Sequence, residues 1–300
     1  MRNVLPGDIS VRLALAAALL TTTGCIVRRE TRIHPSQIAP PARQATLAEL
    51  VGQLNDQSAA VRTLTATADL EPTAGSIYSG VIKEYHDVKA FILVQRPSLI
   101  RMQGQAPVVR TEIFDMVSNG EEFRLYIPPK QKFIVGKSTF RKPAKNSLEN
   151  LRPQHILEAL LVPAIDLSRE KYFMEEAEEG GGRYYVVTVV EPAGDGGLRL
   201  RRKAWFDRSN LELVRVQFYL PQGNYIEDVR YADYQDFQGV RYPARIEVTR
   251  PIEDYRLTIR IVKAAFNQPI APEKFELTRP EGAQLVELSA APPQENQRGQ

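Results

Sequence analysis

The sequence predicts a mainly β protein with some α+β character: a curved antiparallel sheet forming a half-open barrel, with helices as its lid. Three observations lead there. Apolar and polar residues alternate with a period of two from Thr63 onward, turn-forming clusters punctuate that alternation, and two stretches keep helical spacing instead.

Ahead of the sheet lies a different kind of segment. Arg2 and Arg12 precede "LALAAALL", an apolar run ending at Leu20, and Thr21, Thr22, Thr23 and Gly24 follow it. That is the layout of a secretory signal peptide over residues 1–24. A membrane-spanning helix needs roughly 20 apolar residues, and this run has about half of that. Small residues placed before Cys25, the single cysteine of the chain, resemble the lipobox of bacterial lipoproteins, with Thr22 where the usual form has leucine. Two readings follow: Cys25 is acylated, palmitate-like chains included, or a plain signal peptide precedes a free thiol. Lipidation accounts better for an unpaired cysteine in an exported protein. One acyl chain binds a membrane only marginally, so a stable anchor takes several. Ile26 follows the cysteine where enterobacterial inner-membrane retention signals have Asp, so the expected address is the outer membrane, facing the periplasm. In "IVRRETR", Arg28, Arg29 and Arg32 either meet anionic headgroups or form a solvated linker.

The chain is 43% hydrophobic and 25% charged, with 39 basic and 36 acidic residues giving a net charge of +3. The charges are mixed along the chain, which argues against a nucleic-acid partner, since that would require a clustered basic face. The proline-rich and polar "RIHPSQIAPPARQ" reads as the rest of a lipidated tether spanning 25–44, and "APPQENQRGQ" ends a disordered tail over 281–300. Between them, residues 45–280 form one folded domain with enough chain for a large core.

Within the domain, Thr46 and Glu49 make a capping-box pattern ahead of Leu47, Leu50, Val51, Leu54 and Val61 at helical spacing, which predicts an amphipathic helix. "YRLTIRIV" then alternates Tyr255, Leu257, Ile259 and Ile261 with Arg256, Thr258 and Arg260; "LVRVQFYL" and "RYPARIEV" do the same. Such segments are half-buried antiparallel strands. "SNGEE", "PAGDGG", "PQGN" and "DFQGV" supply hairpin turns between strand-like runs. "AFILVQ" and "TEIFDMV" are apolar on both faces, which predicts deeply placed strands. One interruption stands out: in "NSLENLRPQHILEALLVPAI", Pro153 opens and Pro163 closes a segment carrying Ile156, Leu157, Leu160 and Leu161, which predicts a second helix over about 152–161 lying across the sheet.

This order of elements resembles the LolA/LolB family of lipoprotein carriers. "KAWFDRSNLELVRVQFYLPQGNYIEDVRYADYQDFQGVRYPARIEV" is similar to the C-terminal half of LolA-like lipoproteins, and "RPSLIRMQGQAPVVRTEIFDMVSNGEEFRLYIP" to the N-terminal half. The resemblance covers residues 47–277 and rests on element order and turn placement. It implies a cavity lined by apolar and aromatic side chains that holds acyl chains, for which the expected residues are Ile100, Met102, Phe114, Met116, Leu125, Ile127 and Phe218; ordinary core packing is the other reading of each. It also implies an exposed membrane-contact loop in "GQAPVVR", tipped by Pro107, Val108 and Val109. Valine stands there where the family favours leucine.

The residues give no sign of catalysis. The three histidines, His34, His86 and His155, have no acid or nucleophile arranged with them in sequence; "EYHD" reads as a solvated hairpin, and "EEAEEGGG" as an acidic loop without calcium-site spacing. Nucleophile-elbow, zinc-protease and phosphate-loop motifs are missing. No cofactor or metal is expected. Trp205 is either an outer-face aromatic covered by a neighbouring chain end or by the basic stems of Arg201 and Lys203, or a residue at the cavity mouth. The expected function is therefore an outer-membrane lipoprotein that binds lipid or acylated lipoproteins in an apolar cavity and acts in envelope biogenesis or lipoprotein sorting. The alternative keeps the fold as a periplasmic sensor or scaffold that binds a protein partner without lipid cargo. Cavity volume separates the two.

Overall fold

Helix α1 (Leu47–Ala60) begins where its cap dictates. The Thr46 backbone N–H donates to Glu49 Oε2 at 2.7 Å and the Glu49 N–H donates to Thr46 Oγ1 at 3.3 Å, which satisfies two of the donors a helix start leaves open. Its apolar stripe buries Leu50, Val51 and Leu54. These observations come from a computed structural model, which describes residues 41–75, 83–84, 88–106, 108–138, 153–194 and 196–288. Cys25, Pro107 and the "APPQENQRGQ" end lie outside the described residues.

Among the described residues, fifteen strands make one sheet. In chain order they are β1 (Thr63–Ala74), β2 (Lys83–Glu84), β3 (Val88–Gln95), β4 (Leu99–Gln105), β5 (Glu112–Ser118), β6 (Glu122–Ile127) and β7 (Lys132–Lys137). After helix α2 (Pro153–Leu160) come β8 (Lys171–Glu179), β9 (Gly182–Pro192), β10 (Leu198–Asp207), β11 (Leu213–Tyr219), β12 (Tyr225–Phe237), β13 (Val240–Arg250), β14 (Tyr255–Phe266) and β15 (Gln284–Leu288). Strands β3 to β7 form one antiparallel meander and β8 to β14 another; β1 lies between them, pairing with β3 on one side and β14 on the other, while β2 adds a short pairing to β1. The sheet is open and curved, with β8 and β15 as its edges.

Alternation carries the core as expected. Along β14, Tyr255, Leu257, Ile259 and Ile261 are buried while Arg256 and Arg260 face water. Burying each large aliphatic or aromatic side chain contributes about 1.5–3 kcal/mol. One continuous core joins these residues to Leu50 and Leu54 of α1 and to Ile156, Leu157 and Leu160 of α2. Helix α2 matches the predicted segment to within a residue at each end, and Pro153 sits at its first position.

Five expectations need correcting. The sheet is mixed rather than wholly antiparallel, because β15 runs parallel to β7. That strand also falls inside the stretch assigned to the tail: the tail's proline and polar signal belongs only to its end, whereas "QLVEL" follows a segment fastened to the sheet's outer face. Arg101 Nη1 donates to the Lys274 carbonyl at 2.9 Å, Arg124 Nη1 to that of Leu277 at 3.3 Å, and Leu277 and Ala283 pack with Val117 and Phe133 in a small second core. This strap explains why "TEIFDMV" is apolar on both faces. "AFILVQ" is different, since Phe91 points outward and is half exposed. Finally, Glu175, Glu176 and Glu179 of the "EEAEE" stretch belong to edge strand β8, where they pair with Lys203, Arg208 and Arg215. The residues expected as tether also end earlier than 44, since the Arg43 N–H donates to the Arg208 carbonyl at 2.6 Å.

Candidate functional site

On the inward face of β12 and β13, beneath α1, the packing leaves a recess of about 760 Å³. Ligand pockets commonly span about 300–1,000 Å³. Its walls come from three places. Helix α1 contributes Gly52 and Gln57, with Val61 just past its end; Leu160, Leu161 and Val162 come from the end of α2 and beyond; Leu213, Tyr231, Tyr234, Val240 and Tyr242 come from β11 to β13.

The sequence builds this hollow by local means. Gly52 interrupts the side-chain row of α1, and a Cβ placed on it would meet nothing within 4 Å. Across from it, three tyrosines turn their hydroxyls away. Tyr242 Oη donates to the Leu160 carbonyl at 2.6 Å, Tyr231 Oη to Ala159 at 3.1 Å and Tyr234 Oη to Leu213 at 2.7 Å. Two of those acceptors are last-turn carbonyls of α2, which have no partner within the helix. Burial pushes all three phenols up from their ordinary range, so they remain neutral donors. With their polar atoms engaged by backbone, the rings offer apolar surface to whatever occupies the recess.

Polar groups frame the recess. Gln53 Nε2 donates to the Leu211 carbonyl at 2.8 Å, Arg241 pairs with Glu212, and the exposed Glu49 and Asp56 stand on α1. Arg96, just past β3, reaches in from the opposite side. Its Nε donates to the Val61 carbonyl at 2.9 Å and its Nη2 to that of Val162 at 3.1 Å, tying the end of α1 to the chain leaving α2.

None of the expected cavity residues lines this recess. Ile100 and Met102 of β4, Phe114 and Met116 of β5, and Leu125 and Ile127 of β6 are at most 1% exposed and belong to the continuous core; Phe218 is half-buried against that core. Sequence reasoning missed Gly52, Leu161, Val162, Arg96 and the three tyrosines. The "YADY" spacing of Tyr231 and Tyr234, with Tyr242 on the next strand, was the available signal. Val108 and Val109, in the loop joining β4 to β5, are 89% and 69% exposed. Trp205 lies on the opposite face from the recess, since Ala204 and Phe206 point into the core; its Nε1 donates to Gln217 Oε1 at 2.9 Å and the Arg215 guanidinium lies 5.2 Å from its ring centre. Of the two readings, the outer-face one holds, with the Arg215 stem as cover.

The fold also gives His155 the acid neighbour that the linear sequence lacked. Its Nδ1 is 3.2 Å from Glu227 Oε2, and Arg250 bridges Glu227 and Glu253 at 2.6 Å each. Glu227 is fully enclosed and Arg250 nearly so, and the network seats the first turn of α2 on β12 and β13. His34 and His86 lie outside the described residues.

No protein-family model matches the chain, and no curated protein does. Among solved structures it is similar to a DUF1329 family protein from Desulfovibrio piger, with 14% identity, 76% of this chain and 95% of that chain covered, and a TM-score of 0.48. It is similar to a LolA superfamily protein from Nitrosomonas europaea, with 11% identity, 76% and 97% coverage, and a TM-score of 0.47. A domain from Vibrio parahaemolyticus described as outer membrane lipoprotein-sorting shows 11% identity, 76% and 94% coverage, and a TM-score of 0.47.

Proposed function

We propose that the protein is a lipid-binding lipoprotein of the bacterial cell envelope that takes an acyl chain, free or attached to a lipoprotein, into the recess between α1 and strands β12 and β13. The helices act as the lid of a half-barrel, Cys25 carries the lipid that holds the protein at the outer membrane, and the loop with Pro107, Val108 and Val109 touches the membrane. The protein catalyses no reaction; it carries or sorts.

The observation that carries this reading is the recess itself: about 760 Å³, walled by aliphatic side chains and by tyrosine rings whose hydroxyls are spent on backbone carbonyls. An acyl chain needs several hundred cubic ångströms of apolar space and few directed polar contacts. A scaffold that only binds a protein partner needs no such hollow. The exposed valines at positions 108 and 109 fit contact with a lipid surface.

Native mass spectrometry of the full chain carrying Cys25→Ser, followed by organic extraction, tests the proposal. Co-purifying lipid of defined mass, displaced by added fatty acid, is the expected result. An empty, monodisperse protein that takes up no fatty acid would leave the partner-binding scaffold as the better reading.

A further inference from the structure

Arg96, which is partly buried, differs from the two buried arginines of the sheet, Arg202 and Arg250. Arg202 faces Glu170 at 3.0 Å and Arg250 faces Glu227 and Glu253 at 2.6 Å, so each has a carboxylate to offset the cost of leaving water. Among the described residues Arg96 has none. Its two bonds go to neutral carbonyls, those of Val61 and Val162, and Nη1 has no hydrogen-bond partner. Burial pushes its guanidinium down from its ordinary range, an effect the nearby Tyr242 phenol partly opposes. A guanidinium stays protonated at any physiological pH, so this charge persists without a counter-ion in the wall of an apolar recess.

The carboxylates that share the recess do not supply that counter-ion. Glu49 is held by the backbone of Thr46, Glu212 is engaged by Arg241, and Asp56 is exposed on α1. A guanidinium presents donors in a planar fork that matches the oxygens of a carboxylate or phosphate, and two of its donors here are already fixed by backbone, which holds the fork in place.

We propose that Arg96 receives the acidic head of the recess's ligand, which makes the ligand class an anionic amphiphile: an acyl chain bearing a carboxylate or a phosphate, with the chain lying against Leu161, Val240 and Tyr242. The inference rests on the lipid-binding reading of the recess and adds the head-group chemistry to it.

The test uses the full chain with Cys25→Ser and two pairs of probes. One pair is a fluorescent polyene fatty acid and its methyl ester; the other is phosphatidic acid and diacylglycerol with matched chains, read by displacement. The expected result is a preference of roughly tenfold or more for the acidic member of at least one pair, the size of a charge-assisted hydrogen bond. A preference in the first pair assigns a free fatty acid, and one confined to the second assigns a lipid headgroup. Arg96→Gln should bring the acid-to-neutral ratio close to unity, and Arg96→Lys should keep part of the preference. Equal binding of acid and neutral partner by the parent chain would overturn the proposal, as would Arg96→Gln weakening both members alike, which would make Arg96 only a tie between the helix ends. If the parent chain binds none of the four probes, the lipid-binding reading fails as well.

Discussion

Over β4 to β6 the inward face is packed, with Ile100, Met102, Phe114, Met116, Leu125 and Ile127 enclosed in the core that α2 covers. Phe114 comes so close to Gly104 that an added Cβ would lie 2.2 Å from its ring. Over β12 and β13 the same alternation produces a recess instead, because Gly52 withholds a side chain and the facing tyrosines anchor themselves to backbone. The two regions have similar patterns and opposite outcomes. Periodicity marks which face points inward; whether that face is filled depends on the residue that comes to meet it from the other side.

Substitutions should separate the two regions by what they change. Phe114→Ala, in the packed region, is expected to cost about 3–5 kcal/mol in urea unfolding, the range for removing a buried aromatic from a core that cannot collapse. Ligand affinity measured on the folded fraction should not move. Gly104→Ala should destabilise by about 1–3 kcal/mol through overpacking against Phe114, which is 1% exposed and has no room to yield. A neutral result at that position would show the packed region to be looser than described.

In the hollow region, Tyr242→Phe deletes the bond to the Leu160 carbonyl but keeps the ring, so a loss of about 0.5–1.5 kcal/mol with unchanged ligand affinity is expected. Gly52→Ala should stabilise the protein by roughly 0.5–1 kcal/mol, since helical glycine carries that penalty and the new methyl meets open space. Destabilisation there would mean that the recess is closed in solution. The smallest effect concerns Trp205: lying on the outer face and hydrogen-bonded to Gln217, it should keep its emission maximum when fatty acid is added, so a clear shift would place ligand on the outer face.

Much of this architecture was legible from local signals. The Thr46–Glu49 capping pair and the prolines at 153 and 163 located both helices, and alternation located β11, β13 and β14, whereas β8 was hidden by its acidic composition. Strand β15 was not legible, because its five residues pair in parallel with β7, far away in the chain, and no hairpin turn announces it. The recess was missed for a different reason: its defining features are a side chain that is absent at Gly52 and hydroxyl bonds to helix carbonyls, and neither has a sequence period. Methionines and aromatics in strands, which suggested a cavity over β4 to β6, serve equally well as core. Arg96 carries no motif that marks it in the sequence, and only the fold shows a cation without a carboxylate.

The most direct test of the account is a fluorescent fatty-acid titration of the full Cys25→Ser chain with and without Gly52→Leu, alongside melting curves for both. A leucine at that position would project into the recess from a helix that favours it over glycine. The account predicts saturable binding by the parent chain and a loss of roughly tenfold or more in affinity with the substitution, a change of about 1.4 kcal/mol, with no fall in melting temperature. Equal affinity in both chains would contradict the claim that the recess beneath α1 is where the ligand sits.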